Sequence, residues 1–409
     1  DIPPDLRFKT GVKVRNFKAL YRFEGYVVEE LSCQEICAQI KLRFDGRKSP
    51  RCPECSDKLP RNRSGSSAAM DLPLGEGLVV WIIFPTVQGY CRTCQCYQTT
   101  RPSEIHPETR ATWRFMRTVS DWASVAPATA VATMFEISDN TVRRYDKKVL
   151  EADLPEAQLD GLRAILVDEK AVRKGHNYVT VVINADTGEL LYMAEGRKKE
   201  TLAAFFEQLT AEQRASIEAV GIDRSGAYQA AIEEYLPGAE IVYDRFHLVA
   251  NINAAIDEVR RTQWREASAE DKAAIKGSRY ILYANSGGLE SDPQARLDRL
   301  LEANQPISLA YQLKEQFRVI FEYRYPACAA KALESWCEMA QASGMKSFER
   351  LARSFRKGAD KVVAFIKHRV TSGRIEGLNN QVARVVHRAC GVRDLDYLFL
   401  RLRQQTVMR

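Results

Sequence analysis

The chain has 409 residues, 45% of them hydrophobic and 28% charged. That balance builds ordinary buried cores in two to four domains and excludes a disordered or collagen-like polymer. The net charge of +7 is uneven: residues 1–150 carry +6, 151–254 carry −8 and 255–409 carry +9, of which 346–409 alone hold +10. Such ends suit a polyanionic partner, and the acidic middle is either a solvated surface or a place where cations sit. The longest apolar run, Leu78 to Phe84, is cut by Pro85 and is too short to cross a bilayer. With no charged-then-apolar leader pattern, the expected location is the cytoplasm. Ten cysteines in so long a chain point to metal in a reducing compartment rather than to a disulfide framework.

In chain order, residues 1–30 are mixed and partly basic. Alternation from Ser32 to Phe44 predicts a strand, Arg61 to Ala69 reads as a Ser/Gly/Arg loop, and Leu78 to Phe84 as a buried strand. Two Cys-x-x-Cys pairs, Cys52/Cys55 and Cys91/Cys94, bracket the last two of these segments. A two-residue spacer lets both thiolates of a pair face one ion, and four soft ligands suit tetrahedral zinc, so residues 31–105 read as a zinc ribbon. Cys96 is a rival to Cys94 for the fourth ligand. Cys33, Cys37, Cys328, Cys337 and Cys390 read as core residues.

Residues 106–155 read as a helix-turn-helix. A first helix turns Phe115, Val119 and Trp122 inward, a second covers Ala128 to Phe135, and Ser138 caps a third. A recognition helix in that position would turn Asn140, Thr141, Arg143 and Arg144 toward a DNA major groove. An ordinary three-helix bundle with a basic surface fits the same pattern.

From residue 156 the pattern changes to short apolar strands. One ends in Asp168, a second in Asp223 and a third in Asp244, with a hairpin turning at Asp186–Gly188 and helices between. Carboxylates at strand ends are costly in a core and useful where a cation is held. The order strand, hairpin, helix, strand, helix, strand fits a ribonuclease-H-like sheet. From 255 to about 370 nearly everything is helical. Beyond it, Ile375, Leu378, Val382, Val385 and Ala389 form an apolar stripe, with Glu376, Asn380, Ala383 and His387 on a second stripe beside it. Glu376 thereby stands where a helix can aim a carboxylate at the sheet edge. Three carboxylates are a minimal cage for two Mg2+ ions, with Mn2+ as a substitute, and two such ions serve phosphoryl transfer.

The stretches 167–193, 222–228 (IDRSGAY), 241–249 (IVYDRFHLV) and 372–403, together with the order of cysteine pairs, helix-turn-helix and acidic core, resemble the DDE transposases of the ISL3 family of bacterial insertion sequences. The resemblance covers almost the whole chain. It implies Asp168, Asp223 and Glu376 as the DDE triad and an all-helical insertion between the second and third carboxylates. It also implies a DxxH motif at Asp244 and His247, where His247 contacts a phosphate or braces the site. The family often has Asn where Ser372 precedes Gly373.

The expected fold class is therefore α/β and multi-domain. Its parts are an N-terminal segment (1–30), a zinc ribbon (31–105), a helix-turn-helix (106–155), a catalytic core (156–254 and 371–409) and a helical insertion (255–370). The expected function is cleavage of element ends at terminal inverted repeats and joining of the 3′-OH to target DNA. The expected assembly is a homodimer on DNA, with Arg384 and Arg388 in a basic surface beside Glu376. A non-catalytic DNA-binding regulator is the alternative, and the intact set of carboxylates argues against it.

Overall fold

The structure, a computed structural model, describes residues 21–33, 37–74, 78–173, 177–285, 288–371, 373–388 and 394–407. The chain divides into two compact units, residues 1–155 and 156–409.

The first unit opens with β1 (Tyr26–Cys33), antiparallel to β2 (Cys37–Phe44); β2 runs parallel to β4 (Leu78–Cys91), which is flanked antiparallel by β3 (Arg63–Leu74) and by β5 (Cys96–Thr99). The expected loop at Arg61 to Ala69 is instead, from Arg63 on, the first half of β3. Its Gly and Ser residues have little strand propensity, but unbroken pairing with β4 from Arg63 to Asp71 supplies the ladder they need. The expected strand at Leu78 to Phe84 continues through Pro85. Pairing to β2 has ended at Ile83, so a residue without an N–H is tolerated there. Inward positions of β4 change phase at this point, from Val80, Ile82 and Phe84 to Val87, Gly89 and Cys91. One strand thus buries its first half in the sheet's core and its second half against Leu59 and the cysteines.

Three helices follow: α1 (Trp113–Val125), α2 (Ala128–Phe135) and α3 (Asp139–Asp153). The Thr112 hydroxyl caps α1 by accepting the Phe115 N–H, and Ser138 caps α3 by accepting the Thr141 N–H at 3.1 Å. Glu136, left-handed at φ 54°, ends α2 and sets the turn. Phe115, Val131, Phe135, Val142 and Tyr145 close the core between them. Trp122, expected inward, is 44% exposed. The buried face of α1 is centred between Phe115 and Met116, Val119 and Ser120, and at ~100° per residue Trp122 falls at its margin. Cys33 and Cys328, expected in cores, are likewise exposed, whereas Cys337 is buried. Cys390 lies outside the described residues.

The second unit holds a five-stranded sheet of order β10-β9-β6-β7-β8. Its strands are β6 (Ala164–Arg173), β7 (Asn177–Asn184), β8 (Leu190–Glu195), β9 (Ala219–Ile222) and β10 (Glu240–Tyr243). The first three form an antiparallel meander, and β6, β9 and β10 are parallel. Between β8 and β9 lie α4 (Lys199–Gln208) and α5 (Ala211–Ser216); α6 (Gly226–Tyr235) connects β9 to β10. Gly221 is required in β9, because a Cβ there would stand 2.5 Å from Leu166 and 2.9 Å from Val370.

A 22-residue helix, α7 (Arg245–Glu266), leaves β10 directly, so the division suggested at 254/255 falls inside it. It is followed by α8 (Ala269–Ile275), α9 (Arg279–Tyr283), α10 (Ser291–Ala303), α11 (Gln305–Val319), α12 (Pro326–Ala342), α13 (Lys346–Lys357) and α14 (Ala359–His368). The last helices are α15 (Gly373–Arg388), packed on β6, and α16 (Leu395–Val407), packed on β8 and α15. A single apolar cluster runs from the sheet through the helical segment to Ile375, Leu378, Val382, Leu398 and Leu402. No helix among the described residues is long and apolar enough to cross a membrane.

Candidate active site and cysteine cluster

Register fixes the acidic site. Leu166 pairs with Gly221, and Gly221 with Val242, so two residues further on Asp168, Asp223 and Asp244 stand level across three adjacent parallel strands. Each acid is held differently. Asp168 Oδ1 accepts the Glu169 N–H at 2.8 Å, and its Oδ2 accepts Asn379 Nδ2 of α15 at 2.9 Å. Asp223 Oδ1 accepts the Ser225 N–H at 2.9 Å. Burial raises the Asp223 carboxyl above its usual range, and the negative charges of Asp168 and Asp244 push the same way; the Ser225 N–H and the His247 charge oppose. Asp244 is buried and caps α7, accepting the Phe246 N–H at 3.1 Å; its Oδ2 lies 3.6 Å from Nε2 of His247 on the first turn of that helix.

Glu376, exposed, is in the first turn of α15, three residues ahead of Asn379. The helix is rolled by Ile375, Leu378 and Val382, all buried as expected, which brings Asn379 rather than Asn380 to the sheet. Asn379 was not singled out by spacing. Its only sequence signal is its place one turn after Glu376.

A cleft of about 440 Å³ opens over this edge, lined by Glu169, Arg197, Asp223, Arg224, His247 and Asn251 among others. Arg197 pairs with Glu169 at 3.5 Å and lies over the Tyr178 ring. Arg224 lies over Tyr243 and Phe355 and donates to Ser354, while its buried Nε has no partner among the described residues. The cleft therefore sets cationic groups beside carboxylates, a pattern suited to a phosphodiester held next to bound cations.

The cysteines form a second, separate centre in the first unit. Among the described residues, Cys52, Cys55, Cys91 and Cys94 alone gather such ligand atoms, three or more, within 4.8 Å of one another. Their sulfurs approach at 3.8 Å (Cys52–Cys94) and 3.4 Å (Cys55–Cys91). Tetrahedral zinc with bonds of about 2.3 Å spaces its sulfurs by roughly 3.8 Å, so the donor set fits structural zinc. Left-handed residues, Ser56 and Gln95, follow each pair and fold it back. The Cys94 N–H, directed at the Cys91 sulfur, is the largest cause lowering that thiol to about 7, while the Cys94 thiol is pushed up, chiefly by the neighbouring Cys55 sulfur, so four sulfurs this close do not all ionise without a cation among them. The rival Cys96 is exposed on β5 and accepts from Gln98 instead.

On α3, Asn140 and Arg144 are exposed one turn apart. Arg143 is paired with Asp139 at 2.7 Å, and the Thr141 hydroxyl is shared with Ser138. Of the basic C-terminal stretch, Arg350 and Arg356 are ion-paired to Glu258 and Glu334; Arg384 is exposed. The side chains of His387 and Arg388, and residues Ser372 and Arg393, lie outside the described residues.

The family model for ISL3-type DDE transposases, described as transposase, matches residues 165–402. A transposase for insertion sequence element IS1001 from Bordetella parapertussis is 34% identical over 392 residues, covering 94% of this chain and 96% of its own. The chain belongs to the ISL3 transposase family. A transposase for insertion sequence element IS1557 from Mycobacterium tuberculosis is 28% identical, covering 93% of this chain and 92% of its own. Membership makes this ISL3-family chain a DNA-processing enzyme with DNA as its partner. The matched span contains β9, β10, β6 from its second residue on and the helix that carries Glu376 and Asn379.

Proposed function

We propose that this transposase binds the terminal inverted repeats of its element, hydrolyses the phosphodiester at each end and joins the freed 3′-OH to target DNA. The sheet and its flanking helices are read as a ribonuclease-H-like core, with Asp168, Asp223 and Glu376 as ligands for two Mg2+ ions. The observation that carries the reading is the level row Asp168, Asp223 and Asp244, joined to α15 through the Asn379–Asp168 hydrogen bond. The donors are hard oxygens, and the Asp223 carboxyl, raised chiefly by burial and less by the charges of Asp168 and Asp244, is a group whose ionised form a bound cation would favour. The metals, when bound, would supply Lewis acidity to the attacking and leaving oxygens.

The chain's own residues do the rest of the work. Asn379 and the Glu169 N–H each hold one oxygen of Asp168, which fixes the orientation of its carboxylate. Asp244 is spent on capping α7 and on His247, so it positions that imidazole at the cleft rather than acting as a ligand. Arg197 and Arg224 flank the cleft where phosphate oxygens of the bound strand would lie. In the other unit, zinc on the four cysteines holds the ribbon, and Asn140, Thr141, Arg143 and Arg144 on α3 contact the repeat. Arg384 and Arg388 hold DNA beside the active site.

Strand transfer of a duplex ending in the element's terminal repeat, with Mg2+ present and absent, tests the proposal. Metal-dependent joining that is lost in Asp168→Asn supports it. Joining without divalent metal, or undiminished joining by that variant, rejects it.

A further inference from the structure

Three clefts lie in series along α7. The active-site cleft reaches its first turns at His247, Ala250 and Asn251; a second, of about 350 Å³, shares Ala250 and continues to Arg261; a third, of about 640 Å³, shares Arg261 and lies between α7 and α8. The third has an unusual lining. Its walls carry Arg260, Arg261, Trp264, Arg265, Lys272 and Lys276, and no acidic side chain is among the residues that line it. The same stretch of chain holds Glu258, Glu266, Glu270 and Asp271, all turned elsewhere. The charges have thus been sorted, which a merely solvated helix pair does not require. Trp264 is 44% exposed with Lys272 over its ring at 5.5 Å.

Resting on the function proposed above, we infer that this groove holds the phosphate backbone of the host DNA flanking the element, on the far side of the scissile bond from the terminal repeat. Charge complementarity identifies a polyanion, and continuity with the active-site cleft identifies it as the same DNA that is cut. Two features favour the flank over the repeat. Arg260, whose fork could read guanine, is held by Asp257 through Nε and Nη2, both at 2.8 Å, and Asp257 also holds Arg261 through Nε at 3.1 Å. What is left is Arg265, two lysines that act as point charges, and a ring among Ala and Gly. That set supplies affinity without reading bases, as DNA whose sequence differs at every insertion demands. Length gives the register. His247 and Trp264 are 17 residues apart on one helix, ~26 Å at ~1.5 Å per residue. A duplex laid along α7 reaches the groove about seven or eight base pairs from the scissile phosphate, at ~3.4 Å per step.

Full-length protein is titrated, without Mg2+, against duplexes that carry the terminal repeat and 0, 4 or 15 base pairs of flank. Wild-type affinity should rise between 4 and 15 base pairs, about tenfold at low salt, and the slope of log K against log salt should steepen by about 2 to 3, near 0.9 per phosphate neutralised. In Arg265→Ala/Lys272→Ala/Lys276→Ala this gain should vanish, measured against the repeat-only duplex as internal reference. The charge-keeping Arg265→Lys/Lys272→Arg/Lys276→Arg variant should retain it, which separates lost charge from lost fold. Equal weakening on all three duplexes, an undiminished gain in the alanine variant, or a defect confined to a separately added target duplex would each overturn the proposal. The readout needs none of the three carboxylates, so it stands or falls apart from the catalytic assignment.

Discussion

At the residue scale the acids differ in what holds them, and their substitutions should differ accordingly. Asp168→Asn, Asp223→Asn and Glu376→Gln each remove the charge of a proposed ligand at nearly constant volume. Cleavage and joining should fall by at least about a thousandfold, with binding of the terminal duplex retained in a gel-shift assay. Asn379→Ala is predicted to behave as loss of an orienting partner. The Mg2+ concentration for half-maximal activity should rise about 10- to 100-fold, while saturating metal recovers much of the rate. An unchanged metal requirement would reduce Asn379 to a packing role. The strand-end aspartates were legible because an acid ending a run such as AILVD or AVGID has no apolar reason to be there. Asn379 was not legible. Its sequence neighbour Asn380 has the same chemistry, and only the roll of α15, set by Ile375, Leu378 and Val382 packing, decides which amide meets Asp168.

At the scale of elements, β4 joins two structures that fail differently. Its first half is buried with Val28, Ile40 and Leu42, whereas its second half relies on the cysteine centre for cohesion. Cys52→Ser or Cys91→Ser should therefore release one zinc per chain by elemental analysis. Amide exchange should quicken in β5 and the Cys91 end of β4 more than in β1 and β2. Uniform quickening would mean that zinc supports the whole sheet. Helix α3 makes a graded prediction. Arg144→Ala should cost about 1–3 kcal/mol in terminal-repeat binding if it reads a base, whereas Arg143→Ala should cost less, because Arg143 is already paired with Asp139. A larger loss at Arg143 than at Arg144 would reverse the roles. The cap at Ser138 and the turn were legible from local chemistry. The first half of β3, from Arg63, was concealed because its pairing partner, not its own Gly and Ser residues, makes it a strand.

At the scale of the whole molecule, bringing two element ends together calls for two sets of DNA-reading elements, and we expect a homodimer on DNA. A chain with Asp168→Asn mixed with one bearing Arg143→Ala and Arg144→Ala should restore joining that neither supports alone. Active complexes that scatter light as monomers would contradict the dimer. The long helical region was legible in the sequence, but its unity with the sheet was not. Periodicity marks helices one at a time, and only the folded chain has one apolar core running from β6 to α16. That arrangement carries a consequence in time. Glu376 stands 153 residues after Asp223 and emerges from the ribosome last among the proposed ligands. At about 5–20 residues per second, roughly 8 to 30 seconds separate the two. The cysteine pairs and α3 are already outside by then, so with the roles proposed above a growing chain would hold DNA before it could cut any. Translation itself imposes the delay, and a chain truncated before α15 would be arrested in it for good.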